Sequence, residues 1–296
     1  MAAARPIRIA LVQKDVVLLD PARNRRELLD IAAAEAGAGA RLVLFPELSL
    51  TGYVEPLAPG LPLTTGQGFA AFREEFHAAA ETIDGPTVTA LTGIAARTDC
   101  CFVVGMALRD AAMPGRLTNA SVLVQPGAPP VAYAKIHLWH CEKHVFDEGE
   151  GLVMADTPAG RIGMQVCYDI RFPEITRGLA LGGAEVVSSV WASFRQDGVP
   201  VPDAAHFRHR AFTRAQENGV FFLSCNRVGR QGDARFMGHS VICAPDGQVV
   251  AEAAHEDETV LRAEIDLAAV ARYRGFVGLF NDRRPSAYRL VTPRSR

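Results

Sequence analysis

Apolar residues come in short runs rich in Val and Ile, separated by longer Ala-, Leu- and Arg-rich stretches with helical spacing. The first run, IRIALVQ at 7–13, has the length and β-branched content of a buried strand. Residues 21–37 follow as a helix: Pro21 suits a first turn, Leu28, Ile31 and Ala32 share one face, and Gly37 marks the stop. Residues 41–47 read as the next strand, and 69–82 and 86–98 as helices, the second opening after Gly85-Pro86. Strands are then expected at 101–108, 120–125 and 131–138, the last two joined by a Gly/Pro turn. The second half repeats the alternation, with strands at 161–169, 184–191 and 220–226 and a hairpin over 240–253 turning at Asp246-Gly247. Helices are expected at 173–183, stopped by two glycines, and at 203–218, where Ala204, Phe207, Ala211 and Ala215 recur every three or four residues. No low-complexity tract or linker divides the chain, so the pattern predicts a single α/β domain over residues 1–280 and a tail at 281–296. Long apolar strand runs predict sheets covered on both faces.

Composition narrows the class. With 31 Lys+Arg against 33 Asp+Glu and a sequence pI near 6.5, the chain lacks the basic balance typical of nucleic-acid or membrane-surface proteins. At 296 residues it can bury a core without disulfides or structural metal. Its 6 cysteines form no CxxC pair and no zinc-like spacing, which reads as a cytoplasmic protein with reduced thiols. Lys14 and Asp15 interrupt the N-terminal apolar run, unlike a signal peptide. The charge-free stretch 117–134 contains Asn119, Gln125, Gly127 and three prolines, unlike a membrane span.

Three segments run from a strand straight into polar residues that a buried strand does not need. VLFPELSLTGY places Glu47 after an apolar run; AYAKIHLWHCEKHVF places Lys135 at the end of a charge-free strand; RIGMQVCYDIRFPE ends in Cys167, Tyr168, Asp169 and Arg171. In α/β proteins the C-terminal ends of strands are where ligands bind. A thiol attacks a carbonyl only as thiolate, so it needs a base or a nearby cation. Glu47 can take that proton and later activate water. Lys135 can stabilise both the thiolate and a tetrahedral oxyanion, with the Tyr168 backbone N–H as a second donor. The bland alternatives are an inert packing cysteine and a structural Glu47–Lys135 ion pair.

FPELSLTGY, KIHL with EKHVF, and CYDIRFPE together resemble the three signature segments of the nitrilase (carbon–nitrogen hydrolase) superfamily, in the family's order and at family-like spacings. RAQENGVFFLSCNRVG and GHSVICAPDGQVV also fit, so the resemblance covers nearly the whole chain. It implies a four-layer α-β-β-α sandwich that pairs into homodimers. It also implies Cys167 as nucleophile, Glu47 as base, Lys135 as oxyanion stabiliser and Glu142 as a second glutamate positioning substrate and Lys135. Family members hydrolyse non-peptide C–N bonds through a thioester, with no metal or cofactor. Their partners are small amides, not nucleic acid or membrane.

The branch is less determined. Nitrile-hydrolysing members typically carry Trp-Glu after the cysteine, where this chain has Tyr168-Asp169; N-carbamoyl-D-amino-acid hydrolases typically carry two adjacent arginines, where it has Ile170-Arg171. CYDIRFPE is most similar to the ω-amidase-like branch, whose small amides often bear a distal carboxylate. An N-carbamoyl amide hydrolase is the runner-up, and a catalytically silent scaffold of the same fold the reading from another class. Arg171 then becomes a carboxylate-binding candidate, or else an ion-pair partner of Asp169 or Glu174. Tyr53 lines the pocket or belongs to the core. Trp191, Ala192, Phe194 and Arg195 follow a strand end and can shape the acyl pocket. His206 and His209 read as helix-surface residues or supports behind the pocket. His137, His140 and His144 have loop-like spacing that does not make a metal site. The basic tail is expected to pack at a subunit interface or fray.

Overall fold

The computed structural model describes residues 4–54, 66–195 and 204–288, with side chains omitted for 66–69. In chain order the first half supplies β1 (Pro6–Gln13), α1 (Pro21–Gly37), β2 (Leu42–Phe45), α2 (Gly66–Ala79), α3 (Pro86–Thr98), β3 (Cys101–Arg109), β4 (Leu117–Gln125), β5 (Ala128–Ala134) and the one-turn α4 (Glu142–Val145). The second half supplies β6 (Met154–Thr157), β7 (Gly160–Val166), a 3-10 turn at Cys167–Arg171, α5 (Pro173–Leu181), β8 (Val186–Trp191), β9 (Phe194–Arg195), α6 (Ala205–Asn218) and β10 (Phe221–Asn226). It closes with β11 (Val228–Gln231), β12 (Ala234–Met237), β13 (Val241–Cys243), β14 (Val249–Glu252), β15 (Thr259–Asp266), α7 (Ala268–Val277) and a 3-10 turn at Pro285–Ala287.

These strands form two six-stranded sheets, ordered β15-β1-β2-β3-β4-β5 and β14-β13-β10-β8-β7-β6, plus a small β11-β12-β9 ribbon. Each large sheet has three parallel central strands, β1-β2-β3 in one and β7-β8-β10 in the other, flanked by antiparallel neighbours. Three cores define the layers. Leu11, Leu44, Val103, Val166, Val190 and Leu223 interdigitate between the sheets. Leu28, Ala32, Leu91 and Ala95 bring α1 and α3 onto the first sheet, and Leu179, Phe207 and Ala211 bring α5 and α6 onto the second. The result is a four-layer α-β-β-α sandwich in one domain, with β2, β8 and β10 buried along their whole length and β3 up to its last residue. Truncating an inter-sheet residue such as Leu223 to Ala is a cavity-forming change that costs about 2–5 kcal/mol.

Local chemistry explains the helix limits. The Asp20 side chain accepts from the Arg23 N–H at 3.0 Å, Pro21 opens α1, and a left-handed Asp99 (φ 62°) closes α3. The sequence pattern placed α1 and α3 at their observed bounds, whereas α2 begins and ends three residues earlier than expected, and α6 begins two residues later.

Two expectations are corrected. The strand expected over 131–138 stops at Ala134, because the chain turns so that the Lys135 carbonyl accepts from Gly149 N–H instead of a sheet neighbour. The strand expected over 161–169 stops at Val166, and Cys167 adopts a positive φ of 43°. The shorter β6, β9, β11 and β12, the edge strand β15 and α7 carry no run long enough to have been singled out.

Candidate active site

The C-terminal ends of β2, β5, β7 and β8 meet at one point. Past β2, Pro46 and Glu47 lie against β3, and this close approach needs Gly105: a Cβ there would sit 2.4 Å from the Pro46 carbonyl oxygen and 2.5 Å from the Glu47 Cα. Gly149 gives the end of β5 similar room, since a Cβ would stand 2.1 Å from the Ala134 carbonyl oxygen. The Glu47 carboxylate is fully buried and accepts three hydrogen bonds. Asn119 Nδ2 (2.7 Å) and Lys135 Nζ (2.8 Å) donate to Oε1, and the Ala192 N–H (2.8 Å) to Oε2.

Lys135 Nζ stands between two carboxylates, 2.8 Å from Glu47 Oε1 and 2.8 Å from Glu142 Oε1, and all three side chains are fully shielded from solvent. Burial opposes the ammonium charge, but Glu142 and Glu47 outweigh it and hold Lys135 above its ordinary range. Glu142 opens α4 and is fixed by the Tyr53 hydroxyl (2.5 Å) and the Trp139 N–H (3.1 Å). Burial raises its carboxyl, Lys135 opposes the shift, and the neighbouring Glu47 adds to it.

Cys167 sits half-buried at the first position of the 3-10 turn. A non-glycine residue at φ 43° is uncommon and marks a sharply turned strand end. Burial, then the Glu47 charge, push its thiol well above the ordinary range; Lys135 pulls the other way and Glu142 adds to the rise. Burial and the neighbouring Glu47 thus both disfavour the free thiolate.

A buried strut ties the nucleophile turn to the Lys135 segment. Asp169 Oδ2 accepts from Tyr133 Oη (2.8 Å) and the Val166 N–H (3.0 Å), while Oδ1 accepts from the His137 N–H (3.1 Å) and lies 2.9 Å from His137 Nδ1. The His137 ring stacks on Phe172 with centroids 3.5 Å apart.

The sequence-predicted residues sort as follows. Glu47, Lys135, Glu142 and Cys167 converge. Tyr53 is buried against Phe194 and Phe236 and supports Glu142 instead of lining an opening. Trp191 packs on Phe207 beneath α6, its Nε1 donating to Ser189 Oγ (2.8 Å), so only its carbonyl, which accepts the Glu47 N–H, serves the site. Ala192 contributes its backbone N–H. Phe194 is buried beside Tyr53 and Trp139, while Arg195 turns outward to pair with Glu256. Tyr168 edges onto Phe172, and the exposed Arg171 guanidinium lies 5.7 Å from the Tyr168 ring. Among the described residues Arg171 pairs with neither Asp169 nor Glu174. His206 tilts onto Phe207 and His209 is exposed; residues 196–203 of that segment and 289–296 of the tail lie outside the described residues. Among the described residues no group of three or more His, Cys, Asp or Glu is arranged to hold a metal, and no helix is long and apolar enough to cross a membrane.

Sequence reasoning missed Asn119 and the Asp169–His137–Tyr133 strut. Asn119 had a signal: an amide within a charge-free strand, where a buried polar group needs a partner.

Glu-Lys-Cys convergence at the strand ends of a two-sheet sandwich defines a hydrolase fold, and comparison with known proteins supplies the family. The carbon–nitrogen hydrolase family model matches residues 8–275, so the chain belongs to that family and is a hydrolase of carbon–nitrogen bonds other than peptide bonds. It is 32% identical over 286 residues to a nitrilase of Pyrococcus abyssi (95% of this chain, 99% of the relative). It is 33% identical over 266 residues to an (R)-stereoselective amidase of a Pseudomonas species (90% and 87%). Among solved structures it is similar to an amidase from Nesterenkonia sp. AN1, with 25% identity, a TM-score of 0.72 and 97% of each chain covered. That structure is a glutamate-to-glutamine variant with the acetamide moiety of fluoroacetamide added covalently at the active-site cysteine.

Proposed function

We propose that the chain is an amidase that cleaves the C–N bond of a small amide through a Cys167 thioester and releases ammonia. The observation that carries this reading is Lys135 Nζ held at 2.8 Å from both Glu47 and Glu142 beside a cysteine on a strained turn. With the free thiolate disfavoured by burial and by Glu47, deprotonation accompanies attack. Glu47 takes the Sγ proton as the C–S bond forms and the carbonyl electron pair moves onto oxygen. Lys135 Nζ and the Tyr168 N–H stabilise that oxyanion. Collapse breaks the C–N bond as Glu47 returns the proton to the leaving nitrogen, and ammonia departs. Water then attacks the thioester, giving its proton to Glu47. The second tetrahedral intermediate expels sulfur, which recovers the proton, and the acid leaves. Glu142, fixed by Tyr53 and Trp139, holds Lys135 charged and aimed.

The substrate side of the reading is a small amide bearing a distal carboxylate. Arg171 supports it, being a guanidinium four residues past the nucleophile with no acidic partner among the described residues. The test is an ammonia-release screen over short neutral amides, ω-carboxyamides, N-carbamoyl amino acids and nitriles, with Cys167→Ser as control. Cys167→Ser should abolish turnover while the far-ultraviolet spectrum and the unfolding midpoint stay near wild type, since the change is nearly isosteric. Turnover by the serine variant would remove Cys167 from its role; preference for carbamoyl compounds or nitriles would reassign the branch.

A further inference from the structure

Two guanidiniums stand beside the nucleophile turn without an acidic partner among the described residues. Arg171 ends that turn; Arg210 is half-buried on α6. Their approach follows from how α6 docks. Phe207, Ala211 and Ala215 face the second sheet, which leaves positions 210 and 214 on the flank beside the turn. Arg214 fixes that geometry: its Nε and Nη2 donate to the Ile170 carbonyl at 3.1 and 2.8 Å, and Glu217 pairs with it at 2.8 Å. Arg210 lies one helical turn earlier on the same flank, about 5–6 Å away at Cβ, and so faces Arg171, the residue after Ile170. The carboxylate nearest in sequence, Asp169, is committed to Tyr133, Val166 and His137. Burial, followed by the Arg171 charge, draws Arg210 below the ordinary arginine range, while Cys167 pulls it back. A half-buried cation beside a second, exposed one weakens a fold, and an anion bound between them reverses that sign.

We propose that Arg210 and Arg171 together form the carboxylate subsite of this enzyme, with Arg210 the residue that makes acyl groups ending in a carboxylate preferred over neutral ones. The inference rests on the amidase reading, which leaves Arg171 alone to bind that group and assigns no role to α6.

The test uses the full chain in two forms. In a Cys167→Ala background, calorimetry measures binding of glutarate and of neutral pentanamide. In the active enzyme, the ratio of kcat/KM for glutaramate to that for pentanamide is measured. Arg210→Met should lower both glutarate affinity and that ratio by about 10- to 100-fold, the loss expected for removing a charged hydrogen-bonding partner, and Arg210→Lys should recover part of it. The ligand-free Tm of Arg210→Met should not fall, because one of two repelling cations is gone. An unchanged ratio, or equal losses on both amides with a lower ligand-free Tm, overturns the subsite and leaves Arg210 a structural residue. Arg210-dependent glutarate binding by a protein that releases ammonia from no amide keeps the subsite and sinks the amidase reading. Ammonia release with a ratio indifferent to residue 210 does the reverse.

Discussion

Lys135 and Arg227 are both fully buried cations, yet their surroundings treat them oppositely. Lys135 stands between two carboxylates as buried as itself and is held above its ordinary range. Arg227 donates to a partly exposed Asp15 (3.0 Å), the Val16 carbonyl (2.8 Å) and Gln231 Oε1 (3.3 Å), and lies over the Phe236 ring at 3.7 Å. Burial drives it down to about 10, and Asp15 only partly offsets the shift. Burial alone therefore does not set the charge state; the number and dryness of the counter-charges do. A cation with more buried counter-charge than it needs is poised to receive a new negative charge only when chemistry shifts a proton. A cation whose hydrogen bonds are spread over backbone and side chains serves packing.

The largest effect that sharpens this contrast is expected from Lys135→Met, which strands two buried carboxylates. Removing one partner of a buried pair costs about 3–5 kcal/mol, read as a lower urea midpoint, and loss of an oxyanion donor lowers kcat by about 10²–10³-fold. A loss below 1 kcal/mol, a limit set well under the range for breaking a buried ion pair, would mean that the glutamates neutralise themselves at little expense. Next comes Arg227→Met. Asp15 is partly exposed and can rehydrate, so the loss is about 1–2 kcal/mol with kcat little changed. A penalty equal to that of Lys135→Met would break the comparison, because counter-charge would then not be what separates the two sites.

The smallest effect is a pH dependence. The Glu142 carboxyl is raised above its ordinary 4.5, chiefly by burial. As pH climbs from 4.5, the unfolded chain loses this proton while the folded protein keeps it, so the burial penalty enters progressively. Glu142→Gln lacks that penalty. Its unfolding free energy relative to wild type should move in the variant's favour between pH 4 and 7, measured by urea unfolding at each pH. A shift the other way would show that attraction to Lys135 exceeds the cost of burial.

Much of the site was legible because its residues announce themselves locally. Glu47, Lys135 and Cys167 each follow an apolar strand run, and polar residues at such places have no packing reason to be there. Arg171 and Tyr168 were singled out on the same grounds. The rest was not local. Tyr53 and Trp191 are large, and whether such a ring faces a pocket or a core depends on which layer covers it: Phe236 and Phe194 for Tyr53, α6 for Trp191. The strand ends at Ala134 and Val166 were overrun because Ile136 and Leu138 keep a strand-like alternation past the first and Cys167-Tyr168 add bulk past the second, while the break is made by backbone turns: a positive φ at Cys167 and the Lys135–Gly149 hydrogen bond. Arg210 carried no signal, since an arginine in a helix reads as a solvated face until the neighbouring turn is in place.

The sequence by itself determined the α/β alternation, the two-faced burial of the central strands and the identity of the groups that can do covalent chemistry, because periodicity and residue type are local properties. Only the tertiary structure decided their electrical states. Whether Cys167 rests as thiol or thiolate, whether Glu142 resists ionisation and whether Arg171 has a companion all depend on charges brought within a few ångströms from strands and helices far apart in the chain. Coulomb energy in a dry interior depends steeply on such distances.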